Sequence, residues 1–172
     1  EFRRVLFRSA SVNSHLSFYV NAAYTDGTYI SFPDAPPPFE ETGAPQVKDI
    51  SGSLLPGISK AAVSIGSEYA AGGALLGRTG QYFTAFDTSY RSSFSSSASA
   101  STYLVVHGYS LVNARVGFRA ADGWTLSVWS RNLLNKDYFD LLSAAPGNTG
   151  LYVGQPGDPR TFGVTMRVAL RQ

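Results

Sequence analysis

Chemistry on this 172-residue chain would have to come from a short set of side chains. It has two histidines, His15 and His107, and no cysteine. One histidine stands at a strand start and the other at a loop end, with carboxylates scattered elsewhere, so no metal site is expected. Without cysteine, thiolate, disulfide and zinc-thiolate chemistry are closed. No G-x-S-x-G, P-loop or G-x-G-x-x-G pattern occurs, and the chain is read as a non-enzyme without a cofactor. Glu40-Glu41 reads as a solvated loop pair, with contact to a cationic ligand as the sharper alternative. Asp137 and Asp140 read as solvated residues beside a loop rather than as a cation site. What remains is a row of charges. Asp87, Arg91, Arg115, Arg119, Arg131 and Arg167 share one side of their segments. Arginines aligned in this way hold anionic groups or mate with a partner surface, and the plainer reading is a charge ladder between neighbouring strands. Asp87, Arg91, Arg115 and Arg131 are the candidate ligand-binding positions.

The elements that must position these residues are strands. In Gly123–Phe139, Trp124, Leu126 and Val128 fall on one side and Thr125, Ser127 and Arg131 on the other, with Trp129 landing among the polar set. Five further segments alternate in the same way: Leu16–Phe32, Ile58–Tyr69, Leu75–Ser92, Tyr109–Ala120 and Thr161–Leu170. No window holds a 3.6-residue period, so the expected fold is all-β with six antiparallel strands. Asn132, where the alternation slips, reads as a structural residue at a bulge. Gly117 and Gly163 read as relief for crowding on the polar side.

The first nine residues, E-F-R-R-V-L-F-R-S, fit none of this. Val5–Ser9 resembles a translated sequencing adapter, and Glu1-Phe2 would be encoded by a common restriction site. Residues 1–9 are therefore set apart as a non-native segment, and residues 10–172 are taken as the domain. The 14 basic and 12 acidic residues give a net charge of +2, but three of the former and one of the latter lie in this segment. The remainder is neutral and shows no basic stripe, so nucleic acid is not an expected partner.

Strand length and loop order narrow the architecture. Soluble strands average about 5–6 residues, whereas these segments match or exceed the roughly 10 residues of a tilted membrane-crossing strand. Tight connections are expected at Ala70–Ala74 and Ala120–Gly123. Long ones are expected at Pro33–Pro56, Ser93–His107 and Ser143–Asp158. That alternation places every tight turn at one end of the strands and every long loop at the other, as in an outer-membrane barrel. Tyr69, Phe118 and Trp124 lie near the tight turns, and Tyr24, Tyr29, Tyr90 and Tyr138 near the long loops, where two belts of aromatic rings belong. On this reading the apolar faces meet lipid and the polar faces line the interior. A soluble carbohydrate-binding β-sandwich, with its apolar faces turned inward, is the rival. Six strands would leave two open edges in lipid, so the chain is expected to be a sector of a larger barrel.

The last third carries a family resemblance. Gly108–Phe118 (G-Y-S-L-V-N-A-R-V-G-F), the run N-L-L-N-K-D-Y at Asn132–Tyr138, and Gly157-Asp158-Pro159-Arg160 with Phe162-Gly163 resemble the C-terminal end of TonB-dependent outer-membrane receptors. Leu55-Pro56-Gly57 and Ser89–Ser93 fit the same pattern. The resemblance implies a transmembrane β-barrel sector, the last six strands of a barrel of about 22, whose lumen an N-terminal plug closes. It further implies location in the bacterial outer membrane and contact with outer-membrane lipid. Active uptake of a scarce ligand such as a ferric siderophore would be driven by an inner-membrane energising complex acting on the plug, which this chain does not include. A passive pore or adhesin barrel is the alternative. The family usually ends on an aromatic residue, whereas this sequence ends Leu170-Arg171-Gln172.

Overall fold

The structure is a computed structural model that describes residues 2–41, 43, 46–147 and 150–169. In chain order the strands are β1 Phe2–Ser11, β2 Leu16–Asp26, β3 Ala61–Leu75, β4 Arg78–Arg91, β5 Phe94–Ser95, β6 Val105–Val106, β7 Tyr109–Ala120, β8 Trp124–Arg131, β9 Phe139–Ala144, β10 Tyr152–Pro156 and β11 Thr161–Val168. Seven of them make one antiparallel sheet in the order β1-β2-β3-β4-β7-β8-β11. All six expected strands are present, and β1 adds a seventh. Among the described residues no second sheet of comparable size faces this one, which removes the sandwich, since that fold hides its apolar face between two sheets.

Register carries one apolar surface across the sheet. Phe18, Ser67, Phe86, Ala114, Ser130 and Phe162 form one cross-strand row, and Val116, Val128 and Val164 form another. These apolar residues remain open: Phe86 is 50% exposed and Val164 68%. On this side Phe118 and Ala120 are buried at the tight-turn end, Phe118 between the Tyr82 and Trp124 rings, and the other buried apolar residues lie elsewhere. Ala35, Ile50, Phe94, Leu104 and Val106 sit beneath the long loops, and Phe83 lies on the opposite, polar side of the sheet. A water-soluble sheet of this size would cover its apolar side. This one does not.

Several boundaries differ from those expected. Leu16–Phe32 leaves the sheet at Asp26. Ala70–Ala74 is not a turn. β3 runs through it to Leu75, and the reversal is the pair Leu76-Gly77, both with positive φ (51° and 73°). Positive φ at both central positions defines the type I′ turn that matches strand twist. The small residues of A-A-G-G-A instead make room for an aromatic. Tyr82 lies where a Cβ on Gly73 would be, 2.7 Å from that position, and its hydroxyl donates to the Ala74 carbonyl at 2.7 Å. The turn at Ala121–Gly123 is as expected, with Gly123 at φ 99°. A third tight turn, at residues 12–15, is closed by the Asn13 side chain, which accepts from the amides of His15 and Leu16. The long connections hold structure of their own: β5 pairs with β6, and β9 with β10. Leu170 and the two residues after it lie outside the described residues. Of the expected aromatic belt at the long-loop end, Tyr24 and Tyr90 stand open on the apolar side. Tyr29 stacks instead on Phe32, and Tyr138 on Tyr109.

β1 pairs along its whole length with β2, yet its alternation is broken, although Leu6 and Ala10 do fall in the apolar rows. Arg4 and Arg8 stand opposite Tyr24 and Val20, in the apolar rows, while Val5 and Phe7 stand opposite Ala23 and Asn21 in the polar ones. On the other strands of the sheet a charge enters the apolar rows only at a strand end, Asp26 of β2 and Arg78 of β4.

Candidate functional site

The polar side of the sheet gathers the expected charges on one wall. β4 contributes Asp87, β7 contributes Arg115 and Arg119, β8 contributes Arg131, and β11 contributes Arg167. All five line a groove of about 450 Å³. Glu68 on β3 reaches across β4 to both β7 arginines, at 3.4 Å from Arg115 and 3.2 Å from Arg119. The two guanidinium groups also lie over the Phe83 ring, 5.2 and 4.7 Å from its centre. Asp87 accepts from Asn113 Nδ2 at 2.6 Å. Glu68 was recoverable from sequence, because it is the only carboxylate in Ala61–Leu75. Its ion pairs are not a local pattern, because its partners lie on β7, two strands away in the sheet.

Three aromatic rings build the floor of this wall, each over a glycine on the neighbouring strand. Tyr19 covers Gly66, Phe83 covers Gly117, and Trp129 covers Gly163; an added Cβ would meet the rings at 2.2, 2.8 and 2.2 Å respectively. A glycine opposite a ring lets the ring lie flat against the backbone. This is the crowding relief expected of Gly117 and Gly163. It also explains Trp129 among polar residues. Its Nε1–H donates to Thr165 at 3.0 Å, and Arg131 rests 5.3 Å from its ring.

Arg91 is placed differently. Its Nε donates to Ser59 at 2.7 Å, its Nη2 donates to the Gly57 carbonyl at 2.8 Å, and it lies over Phe94. It fastens the first and second long loops to the top of β4 and does not line the groove. Asp137 and Asp140 are exposed. Among the described residues no three potential metal ligands cluster.

Asn132 is a hub at the upper end of the wall. It is 3% exposed and holds φ at 47°, a left-handed conformation that asparagine tolerates better than most residues. Its amide donates to the carbonyls of Lys136 and Asp158 at 2.9 and 3.1 Å, and its side-chain oxygen accepts from the Lys136 amide at 2.8 Å. Asn135 in turn accepts from the Arg160 amide at 3.2 Å, and the Gly157 amide donates to the Tyr138 carbonyl at 2.9 Å. The two sequence runs that carry the resemblance therefore fasten to each other, fixing how β8 leaves the sheet and how β11 enters it.

The three long loops close into one cap, and Glu40 is its centre. Glu40 accepts from the Thr102 amide at 2.9 Å and from the Tyr152 hydroxyl at 2.5 Å, joining the first loop to the second and third. Tyr152 also stacks on Tyr103, 5.2 Å between ring centres. Burial pushes the Glu40 carboxyl up, but hydrogen bonds from Tyr152, Ser101 and Thr102 outweigh it and hold the group at about 2. Expected as half of a solvated pair, Glu40 is a tie between loops, and only Glu41 keeps a solvated setting, paired with Lys48. Its role was hidden because its partner Tyr152 is 112 residues away.

A single antiparallel sheet with one bare apolar side, one charged and glycine-floored side, tight turns at one end and looped caps at the other defines a wall of an outer-membrane-type β-barrel. The chain belongs to the TonB dependent receptor-like β-barrel family, whose profile matches residues 5–133. Two solved structures share the fold. One is the ferric yersiniabactin uptake receptor FyuA from Yersinia pestis (TM-score 0.67, 13% identity), matched over 95% of this chain and 22% of that one. The other is the siderophore receptor PiuA from Acinetobacter baumannii (TM-score 0.66, 14% identity), matched over 94% and 20%. The chain thus spans about a fifth of the length of these receptors. No curated protein sequence matches it.

Proposed function

We infer that this chain is a wall sector of a TonB-dependent receptor that sits in the bacterial outer membrane and takes up a scarce ligand, such as a ferric siderophore. The observation that carries this reading is the bare apolar side joined, through the same strands, to a charged side and a three-loop cap. Lipid covers the first, the second lines the lumen, and the cap helps capture the ligand. The names of the two structural relatives support the ligand class, and the family supports energy supplied by an inner-membrane complex through a plug domain. Asp87, Arg115 and Arg131 are the lumen-facing positions nearest a passing ligand; Arg91 acts on the loops.

Growth of a Gram-negative host tests this. The host lacks its own siderophore receptors, expresses the receptor containing this wall, and is fed iron only as a ferric siderophore. Growth is expected to need both the receptor and the energising complex. Equal growth without the energising complex would make the barrel a passive pore.

We also read residues 1–9 as foreign to the wall, although they pair with β2. A backbone ladder at an open edge accepts any extended sequence, and the placement of Arg4 and Arg8 in the apolar rows is the sign that this one was not shaped for lipid.

A further inference from the structure

At the tight-turn end β3 outlasts its neighbour. β2 begins at Leu16, opposite Tyr69, and the last bond between the two strands runs from the Ala70 amide to the His15 carbonyl at 2.8 Å. There the chain turns away, held by the Asn13 side chain. Residues 71–75 run on beside β4 alone, about 17 Å of strand. Backbone groups point alternately to the two edges of a strand. The N–H groups of Gly72 and Ala74 and the Gly72 carbonyl therefore face the side that β2 has left, and none has a partner among the described residues. The Ala74 carbonyl alone is covered, by the Tyr82 hydroxyl. Exposed edges are ordinarily guarded by lysine, proline or a bulge. Residues 70–75 hold no charge and no proline, and their pairing with β4 runs without a register shift. At the tip, Leu76 is 87% exposed with φ at 51°, a costly placement for a bare apolar side chain.

We propose that this edge docks an extended, uncharged peptide carrying an aromatic residue, which adds to β3 as a further strand. The ring follows from a rule the sheet keeps everywhere else. Six glycines lie within its strands, and at five an aromatic ring from the adjoining strand comes within 2.8 Å of where a Cβ would be. These are Gly66, Gly73, Gly117 and Gly163, described above, and Gly80 beneath Phe118. Gly72 is the sixth, and nothing stands within 4 Å of its Cβ position. On the β4 side the diagonal ring, Phe83, already lies over Gly117, so a ring for Gly72 must come from the open edge. The bare backbone groups supply the hydrogen bonds of strand addition, and Gly72 supplies the seat for the ring. An edge without charge offers a charged side chain no partner, which fixes the peptide as uncharged. The edge lies past the end of β2, apart from the charged groove, and its docking role rests on the reading of the tight turns as periplasmic.

The test uses the full-length receptor containing this wall, in lipid nanodiscs that leave both ends open to solvent. The probe is the end-blocked peptide Thr-Val-Phe-Val-Thr, and the measurement is hydrogen exchange at the Gly72 and Ala74 amides. Both should exchange freely in the receptor alone and slow saturably, roughly tenfold or more, as the peptide is added. Thr-Val-Ala-Val-Thr should need a concentration roughly fivefold or more higher for the same protection. Gly72→Ala, whose Cβ meets no neighbour, should leave the wall intact and remove most of that difference. Amides already protected in the receptor alone overturn the proposal, because another part of the receptor, the plug included, then covers the edge. Free exchange that neither peptide slows overturns it too, as does equal potency of the two peptides or a difference that survives Gly72→Ala. Leu76→Cys in an otherwise cysteine-free receptor tests the orientation beneath it. Labelling by a membrane-impermeant maleimide in intact cells would remove the periplasmic reading itself. Labelling only after the outer membrane is opened upholds that reading, and failure of the peptide arms then removes the docking edge alone.

Discussion

At the scale of single residues, the inner wall is governed by what lies over its glycines. Gly163 and Gly117 look alike in sequence, but their surroundings differ. The three atoms nearest a Cβ on Gly163 all belong to the Trp129 ring, whereas the nearest to one on Gly117 is the Leu126 carbonyl oxygen, at 2.4 Å. A ring can tilt away; a ladder carbonyl cannot. Gly117→Ala is therefore expected to cost more than Gly163→Ala, each within the roughly 1–3 kcal/mol typical of overpacking. Trp129→Ala should rescue Gly163→Ala, while Phe83→Ala should leave most of the Gly117→Ala penalty in place, both read from urea unfolding in lipid vesicles. An equal rescue at both sites would contradict the backbone argument. Asn132 obeys a different constraint. Replacing it with alanine strips three hydrogen bonds from a buried position and leaves the partner groups of Lys136 and Asp158 unpaired. The expected loss is on the order of 3 kcal/mol. Asn132→Asp should be no better, since an oxygen would replace the amide that faces two carbonyls. The alternation showed that the strand ends here. It could not show the hub, because Asp158 is reached only after a long excursion of the chain.

At the scale of elements, the cap holds the three loops in one arrangement, and its chemistry sets the pH at which it loosens. A carboxylate held at about 2, against an ordinary 4.5, contributes stability that is complete above the ordinary value and is lost as pH falls from there toward 2. Tyr152 runs the other way. Its hydrogen bond to Glu40, with burial second, raises its pKa, so its part of the tie persists below the ordinary tyrosine range and is lost only as pH climbs beyond it. The cap should therefore stay closed across the physiological range. Glu40→Gln, which turns an accepting oxygen into a donor, should open it at neutral pH. Hydrogen exchange at the Thr102 amide, corrected for its intrinsic rate, is the measurement. Protection lost in Glu40→Gln but kept in Glu41→Gln is expected, and equal protection in both would mean that Glu40 is no tie. Element order, strand periodicity and the short-long rhythm of the connections were all legible in the sequence, since each is a local pattern. The reversal at Leu76-Gly77 was not. A-A-G-G-A has the composition of a turn, and only the ring of Tyr82 on the partner strand shows why a strand would want so little side chain there.

At the scale of the whole molecule, the wall works only if each apolar row is continuous with its neighbours, and that makes its first strand a test of the entire reading. Along Val20, Ile65, Thr88 and Val112 one row crosses β2, β3, β4 and β7 without a charge, and Arg8 stands at its β1 end. An arginine facing lipid costs about 2–4 kcal/mol near the bilayer midplane and about 0–1 near the interfaces. Arg8, opposite Val20, lies deeper in the band than Arg4, opposite Tyr24 near the loop end. Arg8→Leu should therefore stabilise the lipid-embedded protein measurably, while Arg4→Leu should change it little. The converse holds for a strand already shaped for lipid. Val116→Arg, in the row with Val128 and Val164, should destabilise by about 2–4 kcal/mol, whereas a charge on the inner wall, Thr125→Glu between Arg119 and Arg167, should be tolerated. If the apolar rows instead faced protein or water, Arg8→Leu would gain nothing in vesicles, and spin labels at Val116 and Val164 would be untouched by lipid-soluble quenchers. The four substitutions together ask whether the cost of a charge follows the register of the sheet. In a membrane wall it must, strand by strand, because lipid offers a guanidinium group no alternative partner.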